Sequence, residues 1–291
     1  MKRRESLINL FKSVRIERTF PSISLIIFAC ALMGKITKEI YLLTICLVLL
    51  YAPGGILNAL KDEDYILPKY SKIVVYILPL IALIISFENT TLFLASISWI
   101  IFGYIYNVFS RKILFLDNTL ICITHHFIPV FFSLIILGET IKNSFFIGTY
   151  IYLVFWFLAP IKNLNGIEKD KKLKYKTLPV VYKQGKKITF ILYYVSFILM
   201  IPAYFIFELN ALYLALLFAL LLLFLITKKI EKRKNYSGML KIARLIISLF
   251  GFAITISITK NIKLIILGST IIFFFLEETI KKLIKYQEIF S

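Results

Sequence analysis

Residues 162–187 read KNLNGIEKDKKLKYKTLPVVYKQGKK, a polar island dense in lysine between apolar runs at 143–161 and 188–207. The chain of 291 residues is 59% hydrophobic with a mean hydropathy of +0.85, which excludes an ordinary soluble domain. Apolar runs of about 17–25 residues, the length needed to cross ~30 Å of hydrocarbon as a helix, recur throughout. No alternating ten-residue pattern occurs, so a transmembrane β-barrel is excluded. Spans are expected near 20–36, 40–60, 72–87, 90–109, 116–137, 143–161, 188–207, 209–227, 241–259 and 262–280. The expected fold is all-α, a polytopic bundle of nine to ten transmembrane helices. No low-complexity linker divides it, so residues 1–291 are expected to form one domain.

A formal charge of +19 would point to nucleic acid in a soluble protein. Its distribution points elsewhere. Across the ten spans the connecting segments alternate between two sides. One side holds only Lys35, Lys38, Lys142, Lys260 and Lys263 of the 35 Lys and Arg. The other side carries the N-terminus, 61–72, 110–117, 162–187, 228–240 and the C-terminus. Basic residues mark cytoplasmic loops, so both termini and both polar islands are expected to face the cytoplasm of the cell membrane. Anionic lipid headgroups account for this charge without nucleic acid. Residues 1–19 are too polar for a signal h-region, so the first span is expected to be retained. Cys30, Cys46 and Cys122 lie inside apolar runs and read as small hydrophobes.

A second island, within APGGILNALKDEDYILPKYSK (52–72), offers oxygen ligands. Asn58 and Asp62 are four apart and share a face at a helix end, and Glu63 and Asp64 follow. Amide and carboxylate oxygens suit a hard cation such as Mg²⁺, which completes its shell with substrate phosphate and water. In the first-quoted island Glu168 and Asp170 stand among lysines that can neutralise phosphate charge.

Taken together, the islands resemble the signatures of the UbiA superfamily of intramembrane prenyltransferases. In IEKDKKLKYKTLPVV, residues Ile167, Glu168, Asp170, Lys171 (for Arg), Thr177, Leu178, Pro179 and Val180 fall at matching positions of the second signature, D-x-E-D-x-E-G-D-R-x-x-G-x-x-T-L-P-V. Asn58 and Asp62 echo the first signature, N-D-x-x-D-x-x-x-D. Arg15 in SVRIERTFPSISL resembles the family's N-terminal arginine. Tyr104, Tyr106, Arg111 and Lys112 in GYIYNVFSRKILFLDN resemble its tyrosine-to-basic segment. The resemblance runs over roughly residues 10 to 258. It implies a bundle around a central cavity, with a span near 262–280 beyond the family's usual set.

The resemblance implies transfer of an isoprenyl group from a polyprenyl diphosphate to an aromatic or lipid acceptor. Asn58, Asp62, Asp64 and Asp170 are the implied Mg²⁺ ligands. Arg15, Arg111, Lys112, Lys171 and Asn58 are the implied diphosphate contacts. Asp62, Asp170, Tyr104 and Tyr106 are the implied catalytic residues, the tyrosine faces stabilising an allylic cation. The chain departs from the pattern at Ala59, Ile66 and Gly166, where carboxylates are expected. A relative that binds a prenyl lipid without transferring it is therefore the alternative, and a secondary transporter ranks below both because the acids sit at the membrane edge.

Two features stand apart. His125 and His126 lie inside the fifth span, where ionisable residues are functional candidates, but side chains about 100° apart on an α-helix cannot share one metal. Asp117 sits near the start of that span, where an acid is favoured at a helix N-terminus.

Overall fold

A computed structural model describes the backbone of residues 2–62, 66–232 and 235–290, and the side chains of 6, 8–60, 66–231 and 235–281. The described residues are helical, with no strand among them. In chain order the helices are α1 (Lys2–Val14), α2 (Phe20–Met33), α3 (Lys38–Asp62), α4 (Ser71–Ser86), α5 (Thr90–Phe109) and α6 (Leu116–Ile136). They continue as α7 (Ile141–Leu158), a short α8 (Ile167–Lys172), α9 (Gly185–Met200), α10 (Ala211–Lys232), α11 (Tyr236–Ile258) and α12 (Ile262–Phe290).

Polar side chains start the helices where the sequence leaves the apolar runs. Asn89, Thr140 and Asn235 each accept a bond from a first-turn amide of α5, α7 and α11. Eight helical stretches among the described residues are long and apolar enough to cross a membrane. The third expected span is the shorter apolar helix α4, and the tenth opens α12, whose helix runs on well past residue 280.

The bundle closes around α11, which packs on α2, α10 and α12, while α6 packs on α2, α5 and α7. Leu25, Phe28, Phe155, Ile246 and Phe250 are fully buried at the centre. Lys241 of α11 pairs with Glu278 of α12, tying the last helix to the bundle. α3 leans on α4 and α5 and carries α1 on its flank.

One structural difference from the sequence reading governs the site. The island at 162–187 is not a loop lying outside the bundle from its first residue. α7 runs directly into a 3-10 segment, Ala159–Gly166, with Pro160 in its first turn, so residues 159–166 stay packed against α11. Ile161, Asn163 and Leu164 are consequently buried.

The turn between α1 and α2 reaches the interior because α3 has no side chain in its way. A Cβ on Gly55 would lie 2.4 Å from the Ser13 carbonyl oxygen and 3.0 Å from that of Val14. Neither contact can relax cheaply, because both oxygens are backbone atoms. At Gly54 the nearest atom to such a Cβ is Asn107 Nδ2, at 3.8 Å. Gly55→Ala is therefore expected to lower stability by about 1–3 kcal/mol, the usual cost of overpacking. Gly54→Ala is expected to be neutral or stabilising, since alanine favours the helix by up to ~1 kcal/mol. Thermal melts of the two variants in lipid test the contrast.

Candidate active site

At the end of the bundle where α3 finishes and α7 passes into its 3-10 segment lies a cavity of about 390 Å³. Its wall is built from five parts of the chain. The α1–α2 turn supplies Arg15 and Arg18, and α3 supplies Tyr51 and Asn58. Tyr106, Arg111, Asp117, His125 and His126 come from 106–126. Lys162, Asn163, Asn165, Gly166, Lys169 and Asp170 come from 159–170, and Arg244 comes from α11. Six lining side chains are cationic and two are acidic, inside a bundle whose surroundings are apolar.

Local structure places the cations. Arg15 adopts a left-handed backbone (φ 52, ψ 46), uncommon for a residue with a side chain. The Arg18 amide bonds to the Arg15 carbonyl at 2.9 Å, closing a tight turn that points both arginines inward. Arg18 Nε is buried without a hydrogen-bond partner among the described residues. Arg244 keeps only 14% of its side chain exposed and meets Glu17 at 3.9 Å, too long for a good hydrogen bond. Arg111 stacks on Tyr175 at 4.9 Å, and its carbonyl accepts the Lys176 amide, so the strand of chain after α8 clasps the α5–α6 loop.

Asp170 is 8% exposed and accepts a 3.0 Å bond from Thr177 Oγ1 to its Oδ2. Thr177 stands just before the one-turn helix Leu178–Val181, and its carbonyl accepts the Val180 and Val181 amides at 3.0 Å. That turn lies against Gly185, where a Cβ would come within 2.2 Å of the Leu178 carbonyl oxygen. The T-L-P-V segment thus holds the carboxylate in place. A Cβ on Gly166 would stand 3.7 Å from Asp170 Oδ1, so a carboxylate at 166 would adjoin that of Asp170.

Lys162 turns inward rather than to solvent. Its ammonium pairs with Asp117 at 3.2 Å and lies 5.8 Å from the Tyr106 ring. Asp117 keeps 7% of its side chain exposed and occupies the first turn of α6, so it serves both the helix terminus and the ion pair.

The fifth span departs from regular α geometry. Residues Ile123–Phe127 form a π turn in which the Ile128 amide reaches back to the Ile123 carbonyl. Pro129 has no N–H to offer the His125 carbonyl, which favours this widened turn. Both histidines consequently line the one cavity, with ring centroids 6.3 Å apart. Among the described residues no group of three His, Cys, Asp or Glu could hold a metal. The carboxylate and side-chain amide residues lining the cavity are Asp170, Asp117, Asn58, Asn163 and Asn165.

The sequence-derived residues divide. Asn58, Asp170, Arg15, Arg111 and Tyr106 line this cavity together. Tyr104, 65% exposed, lines instead an adjoining apolar chamber of about 280 Å³. Lys112 is exposed, with its ammonium 5.5 Å from the Phe109 ring. Lys171 is exposed, pairs with Glu168 at 3.2 Å and borders an open lysine-lined groove outside the cavity. Asp64 lies outside the described residues, and Asp62 is described only as the backbone end of α3. Arg18, Tyr51, Lys162 and Arg244 are lining residues that the sequence reading passed over. For Arg244 a signal was present, since Leu240, Ala243, Arg244 and Ile247 form one helical stripe facing the cavity.

The polar cavity and the apolar chamber share Arg18, Tyr51, Asn58, Tyr106, Ile121 and His125. The two spaces thus adjoin along a shared wall, a collar with charge on one side and hydrocarbon on the other.

A sequence model described as the UbiA prenyltransferase family matches residues 68–245. A solved digeranylgeranylglyceryl phosphate synthase superposes with a TM-score of 0.63 at 20% identity, covering 87% of this chain and 98% of that one. The apo structure of a UbiA homologue from Aeropyrum pernix K1 gives 0.68 at 13% identity over 84% and 99%. No curated protein matches the sequence. At such identities the structural likeness establishes the fold, and the family match covers more than half of the chain. The chain belongs to the UbiA prenyltransferase family of intramembrane proteins.

Removing one partner of a buried ion pair leaves a charge stranded in a low dielectric, at about 3–5 kcal/mol. Lys162→Met is expected to destabilise the protein by roughly that amount, and Asp117→Leu with Lys162→Met to recover most of it. A double-mutant cycle on thermal stability in lipid reads the coupling.

Proposed function

We propose that the protein transfers an isoprenyl group from a polyprenyl diphosphate to an aromatic or lipid acceptor, through an allylic cation formed at the collar. The observation that carries this reading is a cation-rich cavity set directly against an apolar chamber, with six lining residues in common. An amphiphile with a polyanionic head and a hydrocarbon tail matches both spaces at once. The diphosphate lies among Arg15, Arg18, Arg111 and Arg244, whose guanidinium groups stabilise the leaving group as its charge develops. The tail enters the chamber beside Tyr104, Tyr76 and Trp99. Exclusion of water from the chamber protects the cation from hydrolysis, and the Tyr106 ring stands at the junction to stabilise it.

The donor set suits Mg²⁺, which is commonly held by one or two carboxylates and completed by substrate phosphate and water. Asp170 and Asn58 would hold the ion, with Asp62 and Asp64 as further ligands implied by sequence. When bound, the metal supplies charge neutralisation to the diphosphate. The basic bias of the segments around this end supports an opening toward the cytoplasm, with both termini on that side. Gly166 is the observation that favours the alternative, a relative that binds a prenyl lipid without turnover.

Diphosphate release from allylic prenyl diphosphates, assayed in lipid nanodiscs, separates these readings. Mg²⁺-dependent release is expected from the wild type, with Asp170→Asn lowering it by at least ~100-fold, the scale seen when one electrostatic stabiliser is removed. Chelation with EDTA is expected to abolish it. Donor binding without release under any condition would leave the binding-only reading standing.

A further inference from the structure

We infer that Tyr51 and His125 form the proton-accepting pair of the transfer, Tyr51 taking the acceptor's proton as it passes its own to His125. The inference rests on the transferase reading above and concerns the step that reading leaves open, where the acceptor's proton goes.

The hydrogen-bond chain fits one tautomer, with the Thr124 hydroxyl proton on a backbone carbonyl. Thr124 Oγ1 donates to the Leu120 carbonyl at 2.9 Å, which uses its single proton. The 2.7 Å contact between Thr124 Oγ1 and His125 Nδ1 is then a bond donated by the imidazole. His125 Nε2 is left with its lone pair, and the 2.5 Å contact to Tyr51 Oη is donated by the phenol. Tyr51 on α3 thus offers its hydroxyl proton to a neutral imidazole on α6. The π turn supports this arrangement, as such turns recur at functional sites. The rings meet edge to face at 4.6 Å, with Trp99 6.1 Å from the imidazole.

Tyr51 and His125 line both the polar cavity and the apolar chamber, so they stand at the collar where head and tail of a donor meet. The charged and titratable groups on the same cavity wall are Arg15, Arg18, Arg111, Lys162, Lys169 and Arg244, with Asp117, Asp170, His126 and Tyr106. A bound diphosphate places negative charge on this wall, and an opposite charge nearby favours a protonated imidazole. His125 therefore becomes a competent proton store when the donor is present.

The step balances. The donor C1–O bond breaks with its electron pair leaving on the diphosphate. The acceptor's nucleophilic atom forms the new bond to C1, its proton moves to Tyr51 Oη, and the phenol proton moves to His125 Nε2. The products are the prenylated acceptor, diphosphate and an imidazolium paired with it. Tyr51 is the catalytic residue in this step, and His125 acts through it.

The test separates ionisation from proton removal. An allylic diphosphate carrying ¹⁸O at the bridging position is incubated with the full-length protein, Mg²⁺ and phenolic and hydroxylated lipid acceptors. Return of the ion pair scrambles the label into non-bridging positions, whereas transfer consumes it. His125→Gln and Tyr51→Phe are expected to lower transfer by at least ~100-fold, within the range for general base catalysis, while scrambling persists. Scrambling and transfer falling together would make the pair structural, and transfer unchanged in both variants would overturn the inference alone. Absence of both scrambling and transfer in the wild type would overturn the transferase reading, and this inference with it. The chain has only two histidines, so ¹⁵N-histidine spectra in bilayers read the tautomer without turnover. An unprotonated His125 Nε2 that shifts in Tyr51→Phe is expected, and a protonated Nε2 in the resting protein would refute the pair.

Discussion

The guanidinium groups of Arg18 and Arg244 are held inside a helical bundle that turns hydrocarbon-like residues to its surroundings, and much of the architecture answers to that. Charge in such a position is costly unless it is paired or faces a polar cavity. Glu17 approaches Arg244 only to 3.9 Å, and Arg18 Nε has no hydrogen-bond partner among the described residues. The cavity between them is the consequence. A polyanion entering it meets donors already oriented and poorly solvated, where electrostatic interactions are stronger than in water. Preorganisation of this kind lets binding energy act on a developing leaving group rather than on rearranging side chains.

Close backbone approaches allow the charges to reach these places. Gly55 lets the Arg15–Arg18 turn press against α3, and Gly185 lets the Leu178–Val181 turn seat behind Asp170. Thr177 then fixes the carboxylate, and the Lys176–Arg111 backbone bond draws the α5–α6 loop to the same point. α11 connects these parts by packing along α2 and along the 159–166 segment. The second signature therefore acts as a clasp, its T-L-P-V half packing behind Asp170 and holding that carboxylate at the cavity wall.

Much of the fold was legible in the sequence, since apolar runs at membrane length and the bias of Lys and Arg follow directly from bilayer physics. Asn58 and Asp170 were each legible as polar residues in apolar sequence, and the resemblance to the family signatures set them in one site, where both line the cavity. Arg18 and Arg244 were not, because they read equally well as the basic flanks of spans. Lys162 was hidden for a related reason. It opens a lysine-rich island, and only the 3-10 continuation of α7 turns it inward to Asp117. His125 and His126 were assigned to different faces on α-helical geometry. Pro129, visible four residues after His125, is the signal that this geometry fails there. Tyr51 carried no mark among seventeen tyrosines, and only its contact with His125 distinguishes it.

The central claim is that the buried arginines make this cavity a diphosphate site, and equilibrium binding of a non-ionising analogue tests it most directly. Farnesyl thiolodiphosphate and farnesol would be titrated against the wild type, Arg18→Gln and Arg244→Gln in nanodiscs. Charge-assisted bonds contribute about 1.5–3 kcal/mol each, so each substitution is expected to weaken the thiolodiphosphate by roughly 10–100-fold. Farnesol is expected to bind all three proteins equally and far more weakly. Equal affinity of the wild type for farnesol and the thiolodiphosphate, or unchanged thiolodiphosphate affinity in both variants, would contradict the account.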